Sequence, residues 1–311
     1  RAEKVTSRKS DGKFRMAIDR VFTVNGVGLV VTGMVLSGTV LVNDKLTLSS
    51  QGSIVRVRGL RAYDQLRDKV KAGERCAINI AGRGVGEHSI KRGAWLTHPD
   101  LNVPTNRLDV QLKLLEAGTG SLKNGAQLNL HIGSDHLPTR VAILSDGKIT
   151  ASQTSYAQLT LARQILVLHG DHFVLRDPAA RRTIGGGRVI DPFAPKRGRN
   201  SSTRLAELEA MAGKSTTDIL SSLAKQSVTG VQVKIFSISH NISVPQIHQH
   251  TASLGLRLVG HFPEQRVFCE TRWQTFLDNI ITCVRNFHKM KPGKCGASVE
   301  DLQKLLKISI E

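Results

Sequence analysis

Residues 14–24 alternate with one break, Arg20 at an even position. Phe14, Met16, Ile18, Phe22 and Val24 hold the other even positions, and the pair Asn25-Gly26 follows at once. A period of two over eleven residues is a strand pattern, and Asn-Gly is favourable for a tight hairpin turn. Val27–Leu36 returns as the second arm, interrupted by Gly33. Short apolar runs then recur at Val40–Val42, Lys45–Leu48, Ile54–Leu60 and Cys76–Ala81, punctuated by Asn43-Asp44 and Gly73. Many short strands joined by Gly and Asn turns predict a closed barrel or sandwich.

A second strand series starts after Pro99 and Pro104. Leu108, Val110, Leu112 and Leu114 alternate with Arg107, Asp109, Gln111 and Lys113, and the series ends in Thr183–Pro192 with three glycines, Gly185–Gly187. Glycine at a strand edge suggests close backbone approach. Residues 193–203 are polar, basic and turn-rich, and the pattern afterwards is helical. Ser202 or Thr203 can cap one helix, Thr216 or Thr217 a second, and Val244–Leu256 reads as a third. Two short strands, Arg257–Val259 and Arg266–Phe268, complete the layout of a winged helix. Thr271–Phe287 and Ser298–Ile308 read as helices opening another such unit. The expected organisation is mainly β, then α: a barrel over 1–99, a barrel over 100–192, a linker over 193–203, a winged helix over 204–270, and the start of a second, truncated one over 271–311. Because the sequence opens on Arg1 and no hairpin closes the last unit, it is expected to be a piece of a longer chain.

Charge narrows the partners. The net charge of +19 is densest in residues 1–99, which carry +10, against +5 and +4 for 100–200 and 201–311. Such a surface attracts polyanions, nucleic acid foremost. Apolar runs such as Val27–Val31 are far shorter than the ~20 residues of a membrane helix, and no basic-then-apolar leader opens the sequence. Four scattered cysteines with no C-x-x-C pair fit a reducing cytoplasm.

Several familiar sites fail on spacing. Gly213-Lys214-Ser215 resembles the end of a phosphate loop, but the required first glycine would fall at Leu208 and no strand precedes it. Gly82, Gly84 and Gly86 lack the dinucleotide spacing. His240, His248, His250 and His261 offer no metal-ligand set, and are expected as solvated helix-face residues. No catalytic constellation is evident. One position stands out. Arg20 has the parity of the core residues in the first strand, where a guanidinium is costly unless it meets an anion or opens on a pocket. Arg75, at the start of another strand, can join it; a local salt bridge at a barrel rim is the other reading.

The run from Phe14 through Asp19-Arg20 to Gly28, continuing into Val30-Val31-Thr32-Gly33, resembles the opening of domain 2 in translational GTPases of the elongation factor Tu type. Gly170–Asp177 and Arg182–Pro192 resemble the end of domain 3. Ile-Asp-Arg in the first barrel, triple glycine in the second and winged helices afterwards resemble the bacterial selenocysteine-specific elongation factors, over about residues 12–290. The resemblance implies binding of selenocysteyl-tRNA and its delivery to the ribosome at recoded UGA codons. It places Asp19, Arg20 and Arg75 at the selenocysteine-binding positions, and it suggests Arg56, Arg58, Arg61, Arg181 and Arg182 as tRNA contacts. It assigns GTP and magnesium to a GTPase domain with no counterpart here, so no catalysis is expected of this chain. The selenoprotein mRNA hairpin falls to further winged helices. A cytoplasmic monomer that avoids membranes is expected. The rivals are another aminoacyl- or initiator-tRNA carrier, or a DNA-binding regulator. The latter is disfavoured because Val244–Leu256 has no Lys or Arg.

Overall fold

The structure is a computed structural model that describes residues 11–49, 52–91, 93–116, 120–144 and 147–306. It forms two compact units. One comprises Arg1–Leu208 with Ser237–Ser243; the other comprises Glu209–Phe236 with Val244–Glu311.

The first unit begins with β1 (Arg15–Val24), β2 (Gly28–Ser37), β3 (Thr39–Leu41), β4 (Lys45–Leu48), β5 (Ser53–Ala62), β6 (Gln65–Arg67), β7 (Lys69–Lys71), β8 (Arg75–Ala81) and β9 (Trp95–Thr97). Six of these close a ring in the order β4-β9-β1-β2-β8-β5, shut by pairing of β5 with β4. Inside sit Met16, Ile18, Val31, Leu48, Val57, Ile78 and Leu96. Each such side chain contributes ~1.5–3 kcal/mol on burial. The β1–β2 turn takes three residues, with Val24 opposite Gly28, so only Gly26 of the expected Asn-Gly pair is left-handed. Gly33 is required by packing: a Cβ there would lie 2.1 Å from the Ala17 carbonyl oxygen.

The second barrel uses β10 (Thr105–Leu114), β11 (Ser121–Lys123), β12 (Gln127–Ile132), β13 (Asp135–Ile143), β14 (Lys148–Thr150), β15 (Thr154–Ile165), β16 (His172–Arg176) and β17 (Thr183–Asp191). Its ring is β10-β15-β13-β12-β16-β17. The alternation of β10 puts Leu108, Val110, Leu112 and Leu114 in the core as expected. The glycine triplet permits close approach of β17 to β10, since a Cβ on Gly187 would meet the Gln111 carbonyl oxygen at 1.8 Å.

The basic segment after the second barrel ends in an anchored helix, α1 (Ser202–Met211). Ser201, not Ser202 or Thr203, caps it by accepting from the Arg204 amide. Arg204 is buried and donates to Asp109 at 2.6 Å and to Asp191. Asp109 is therefore covered although its parity on β10 faces outward. Burial alone would lower the Arg204 pKa, but the charges and hydrogen bonds of Asp191 and Asp109 outweigh it and hold the cation in place.

Further helices are α2 (Thr216–Gln226), α3 (Val233–His240), α4 (Val244–Ser253), α5 (Glu270–Met290) and α6 (Val299–Leu306). Strand β18 (Val231–Gln232) joins β19 (Arg257–Val259) and β20 (Arg266–Phe268) in the order β18-β20-β19. The two later strands match expectation. The cap of α2 is Ser215, one residue before the expected threonines. Helix α4 stops before Leu256 because Gly255 turns left-handed. Helix α3 escaped the sequence reading, since Val233, Ile235, Phe236 and Ile238 include β-branched residues at near strand spacing. Residues 307 and 308 of the expected last helix lie outside the described residues.

Candidate functional site

The site starts with an irregularity in β1. Ile18 stands opposite Gly33, but the next pair is Arg20 with Thr32, so Asp19 is the extra residue of a β-bulge. A single inserted residue reverses which face later side chains occupy. Val21 packs against the barrel core, while Phe22 and Val24 are exposed. Arg20 likewise points outward and is exposed. The parity that placed Arg20 with the core residues is thus overturned by the bulge. The same bulge supplies the kink needed for two consecutive residues to serve one site.

Asp19 is the hub. Arg75, the first residue of β8, donates from both terminal nitrogens to its carboxylate, at 2.5 and 3.0 Å. Thr32 Oγ1 donates to Oδ1 of the same carboxylate at 2.8 Å. Partial burial alone would raise the Asp19 pKa. The hydrogen bonds from Arg75 and Thr32, and the charges of Arg75 and Arg20, more than offset it and hold the carboxyl below its usual range. The Arg75 guanidinium is in turn pushed above its ordinary value by Asp19. Arg20 makes no hydrogen bond or ion pair with the described residues, yet its charge reaches Asp19. The three residues therefore share one patch of the outer surface, and the Arg75 side chain keeps 53% of its exposure. Buried Cys76 beside them is no nucleophile, because burial pushes its thiol up to about 12.

A cavity of about 580 Å³ lies in the seam between the barrels, lined by His88, Trp95, Asp135 and Arg163 among others, and none of Asp19, Arg20 or Arg75 reaches it. The seam holds an arginine the sequence reading missed. Arg15 is buried, bonds both carboxylate oxygens of Asp171 and lies 4.0 Å from the centre of the Trp95 ring. Its period-two neighbours gave no hint, because its partner lies 156 residues away. Thr32 was also missed, as a threonine in a strand carries no signal of its own.

Arg56, Arg58 and Arg61 all project from the exposed face of β5. Arg56 donates to Asn43 and Arg61 to the Asp64 carbonyl. Arg181 and Arg182 sit in the turn before β17 of the other barrel, where their backbone amides donate to Asp177. His248 and His250 are half-buried and bonded to Gln265 and Thr217, so they are not simply solvated. Among the described residues no group of three His, Cys, Asp or Glu side chains is placed to hold a metal.

Residues 28–97 match the family model for elongation factor Tu domain 2. Residues 105–196 match the model for the β-barrel domain of the selenocysteine-specific elongation factor. Two closed barrels in tandem, the first of them a domain 2, place the chain in the class of translation elongation factors. The selenocysteine-specific elongation factor of Escherichia coli is 38% identical over 285 residues, covering 91% of this chain and 44% of the relative. That of Haemophilus influenzae is 31% identical over 300 residues, covering 94% and 45%. The chain belongs to the selenocysteine-specific elongation factor family, and spans less than half the length of these curated relatives. The crystal structure of a bacterial selenocysteine-specific elongation factor, EF-Sec, has the same fold, with a TM-score of 0.72 at 18% identity over 96% of this chain and 46% of that one.

Proposed function

We propose that this chain is the tRNA-holding part of a factor that carries selenocysteyl-tRNA to the ribosome at recoded UGA codons. The observation that carries the reading is the gathering of two guanidiniums around one bulge carboxylate: Arg75, bonded to it, and Arg20, which has no hydrogen-bond or ion-pair partner among the described residues. A selenol is more acidic than a thiol, so selenocysteine is largely anionic at neutral pH. Arginine is always protonated and offers directed donors to such an anion. A neutral serine or cysteine side chain gives these exposed guanidiniums no charge to meet, and forgoes charge-assisted hydrogen bonds worth ~1.5–3 kcal/mol each. Discrimination arises from that difference. Asp19 orients Arg75 and leaves Arg20 free to meet the ligand. The exposed arginines Arg56, Arg58, Arg61, Arg181 and Arg182 would bind tRNA phosphates, reading shape and not sequence.

The segment that resembles a phosphate loop offers no seat for GTP and its magnesium. Gly213-Lys214-Ser215 forms the turn between α1 and α2, and the Ser215 hydroxyl is used to cap α2. GTP hydrolysis would belong to a separate domain of the full-length factor. The winged-helix region would space tRNA binding from the mRNA hairpin, held by further winged helices, in a cytoplasmic monomer. The test compares selenocysteyl-tRNA and seryl-tRNA of identical body, using this chain and the full-length factor. A strong preference for the former is expected. Arg75→Ala should reduce it at least about tenfold, or ~1.4 kcal/mol. Equal affinities in the wild type would overturn the assignment.

A further inference from the structure

The turn that joins β12 to β13 reaches across the seam between the barrels. Ile132 pairs with Asp135, so Gly133 and Ser134 make a two-residue hairpin turn. Gly133 is left-handed at φ 59° and Ser134 is not, the pattern of a type II′ turn with glycine first. The tip lies on the first barrel. A Cβ at Gly133 would meet the Trp95 ring at 2.9 Å and the Ala17 Cβ at 3.6 Å. Asp135 is buried, and one nitrogen of Arg163, on β15, donates to both of its carboxylate oxygens at 2.6 and 2.7 Å. The same carboxyl fills the space over Gly93, where a Cβ would lie 2.6 Å from it. The turn is therefore held by Arg163 from its own barrel and by Trp95 and Gly93 from the other.

Between these contacts Ser134 makes a bond that leads to the candidate site. Its hydroxyl donates to the Ile18 carbonyl oxygen at 2.7 Å, from the second barrel to the first. That carbonyl belongs to the peptide bond joining Ile18 to Asp19, where the register of β1 slips. It also accepts from the Gly93 amide at 3.3 Å, longer than the ~2.7–3.2 Å usual for an amide donor. The hydroxyl therefore makes the shorter of the two bonds. A bulge residue has no ladder partner on the opposing strand, so its orientation depends on the peptide planes beside it. The plane before Asp19 is held across the seam by Ser134, and the carboxylate beyond it is met by Arg75 and Thr32.

We propose that Ser134 is a positioning residue for the aminoacyl side chain. From the second barrel it sets the angle at which Asp19 presents Arg75, and so tunes the discrimination between an anionic and a neutral aminoacyl group. It acts only through the Ile18–Asp19 peptide. Without the hydroxyl, the Ile18 carbonyl keeps its long amide bond and takes water, and the plane is free to rotate. The Asp19–Arg75 pair then spreads over a wider range of angles. Attraction that needs only charge survives this, whereas a directed donor loses its aim. The inference rests on the selenocysteyl-tRNA reading for its ligand, but its geometric half does not.

Two readouts separate positioning from simple adhesion between barrels. In the whole chain without RNA, the Asp19 carboxyl is titrated by carboxyl-carbon NMR. It faces Arg75 on β8, Arg20 on its own strand and Thr32 on β2, with the neutral thiol of Cys76 nearby, and it is held below the usual carboxylate range. Ser134→Ala should move that titration upward, and Ser134→Thr, which returns a hydroxyl, should bring it back. In the full-length factor Ser134→Ala should lower the preference for selenocysteyl- over seryl-tRNA about threefold, as expected of one hydrogen bond partly replaced by water, with seryl-tRNA affinity unchanged. A residue that only joined the barrels would lower the denaturant midpoint and both affinities together, leaving titration and ratio alone. An Asp19 titration unmoved by Ser134→Ala would overturn the proposal. So would an unchanged preference in that variant where the wild type discriminates. A wild-type ratio of one, with the titration still moved by Ser134→Ala, would remove the selenium reading and leave the positioning of Asp19 standing.

Discussion

The strand β1 carries two arginines five residues apart that lie in opposite surroundings. Arg15 is in the seam, its side chain 4% exposed, with both oxygens of Asp171 bonded and Trp95 beneath it. Arg20 is exposed beyond the bulge, next to an Asp19–Arg75 pair of the same bidentate form. The chemistry of the two ion pairs is alike, and burial separates their roles. A pair sealed between two barrels can only hold them together. A pair left half-open, with a spare cation beside it, can meet something from outside. Water access, and not the identity of the residues, distinguishes the structural site from the proposed binding site.

Stability measurements break or uphold that contrast most directly. Arg15→Ala leaves the largely buried Asp171 carboxylate with the Leu168 amide but without its cation, and removal of one member of a buried pair costs about 3–5 kcal/mol. Arg75→Ala removes a solvent-screened partner and should cost at most about 1 kcal/mol. The denaturant midpoints of the two variants should differ accordingly. Equal losses would mean that the outer pair is as structural as the inner one. The pH dependence sharpens the same point. The Asp19 carboxyl is held below its unfolded value of about 3.9. The small contribution of its pair to stability is therefore fully present above that value and is lost as pH falls through the folded one. Between pH 5 and 8 the cost of Arg75→Ala should not change.

The barrels were legible because they rest on local rules. Period two in β1 and β10, and glycines where strands approach closely, are written in consecutive residues. The strands β19 and β20 were legible for the same reason, and α3 was not, because its β-branched residues mimic a strand. The candidate site was half legible. Asp19, Arg20 and Arg75 could be named, but parity put Arg20 with the core residues. A bulge is a disagreement between two strands, so neither strand alone reveals it. Arg15 and Arg204 were missed for a related reason: Asp171 lies 156 residues from Arg15, and Arg204 is buried between Asp191, 13 residues away, and Asp109, 95 residues away.

The finest division in the comparison lies within the outer pair itself, between Arg75 and Thr32 as orienters of Asp19. The Thr32 hydroxyl donates to Oδ1, the same oxygen that accepts from one Arg75 nitrogen. With the hydroxyl present, the carboxylate is fixed from two strands, β2 and β8. Without it, only the longer, half-exposed arginine restrains the group, and arginine and carboxylate can swing together. Thr32→Val keeps the shape and the strand preference, so the barrel should lose no more than about 0.5 kcal/mol. Preference for selenocysteyl- over seryl-tRNA should fall about threefold, or ~0.7 kcal/mol, in line with one neutral-to-charged hydrogen bond partly replaced by water. Thr32→Ser should recover it, since the hydroxyl returns without the methyl group. A threefold fall with seryl-tRNA binding unchanged would show that the outer pair is positioned for its ligand. No fall at all would leave Arg75 as the sole orienter of Asp19, and Thr32 as an ordinary strand residue.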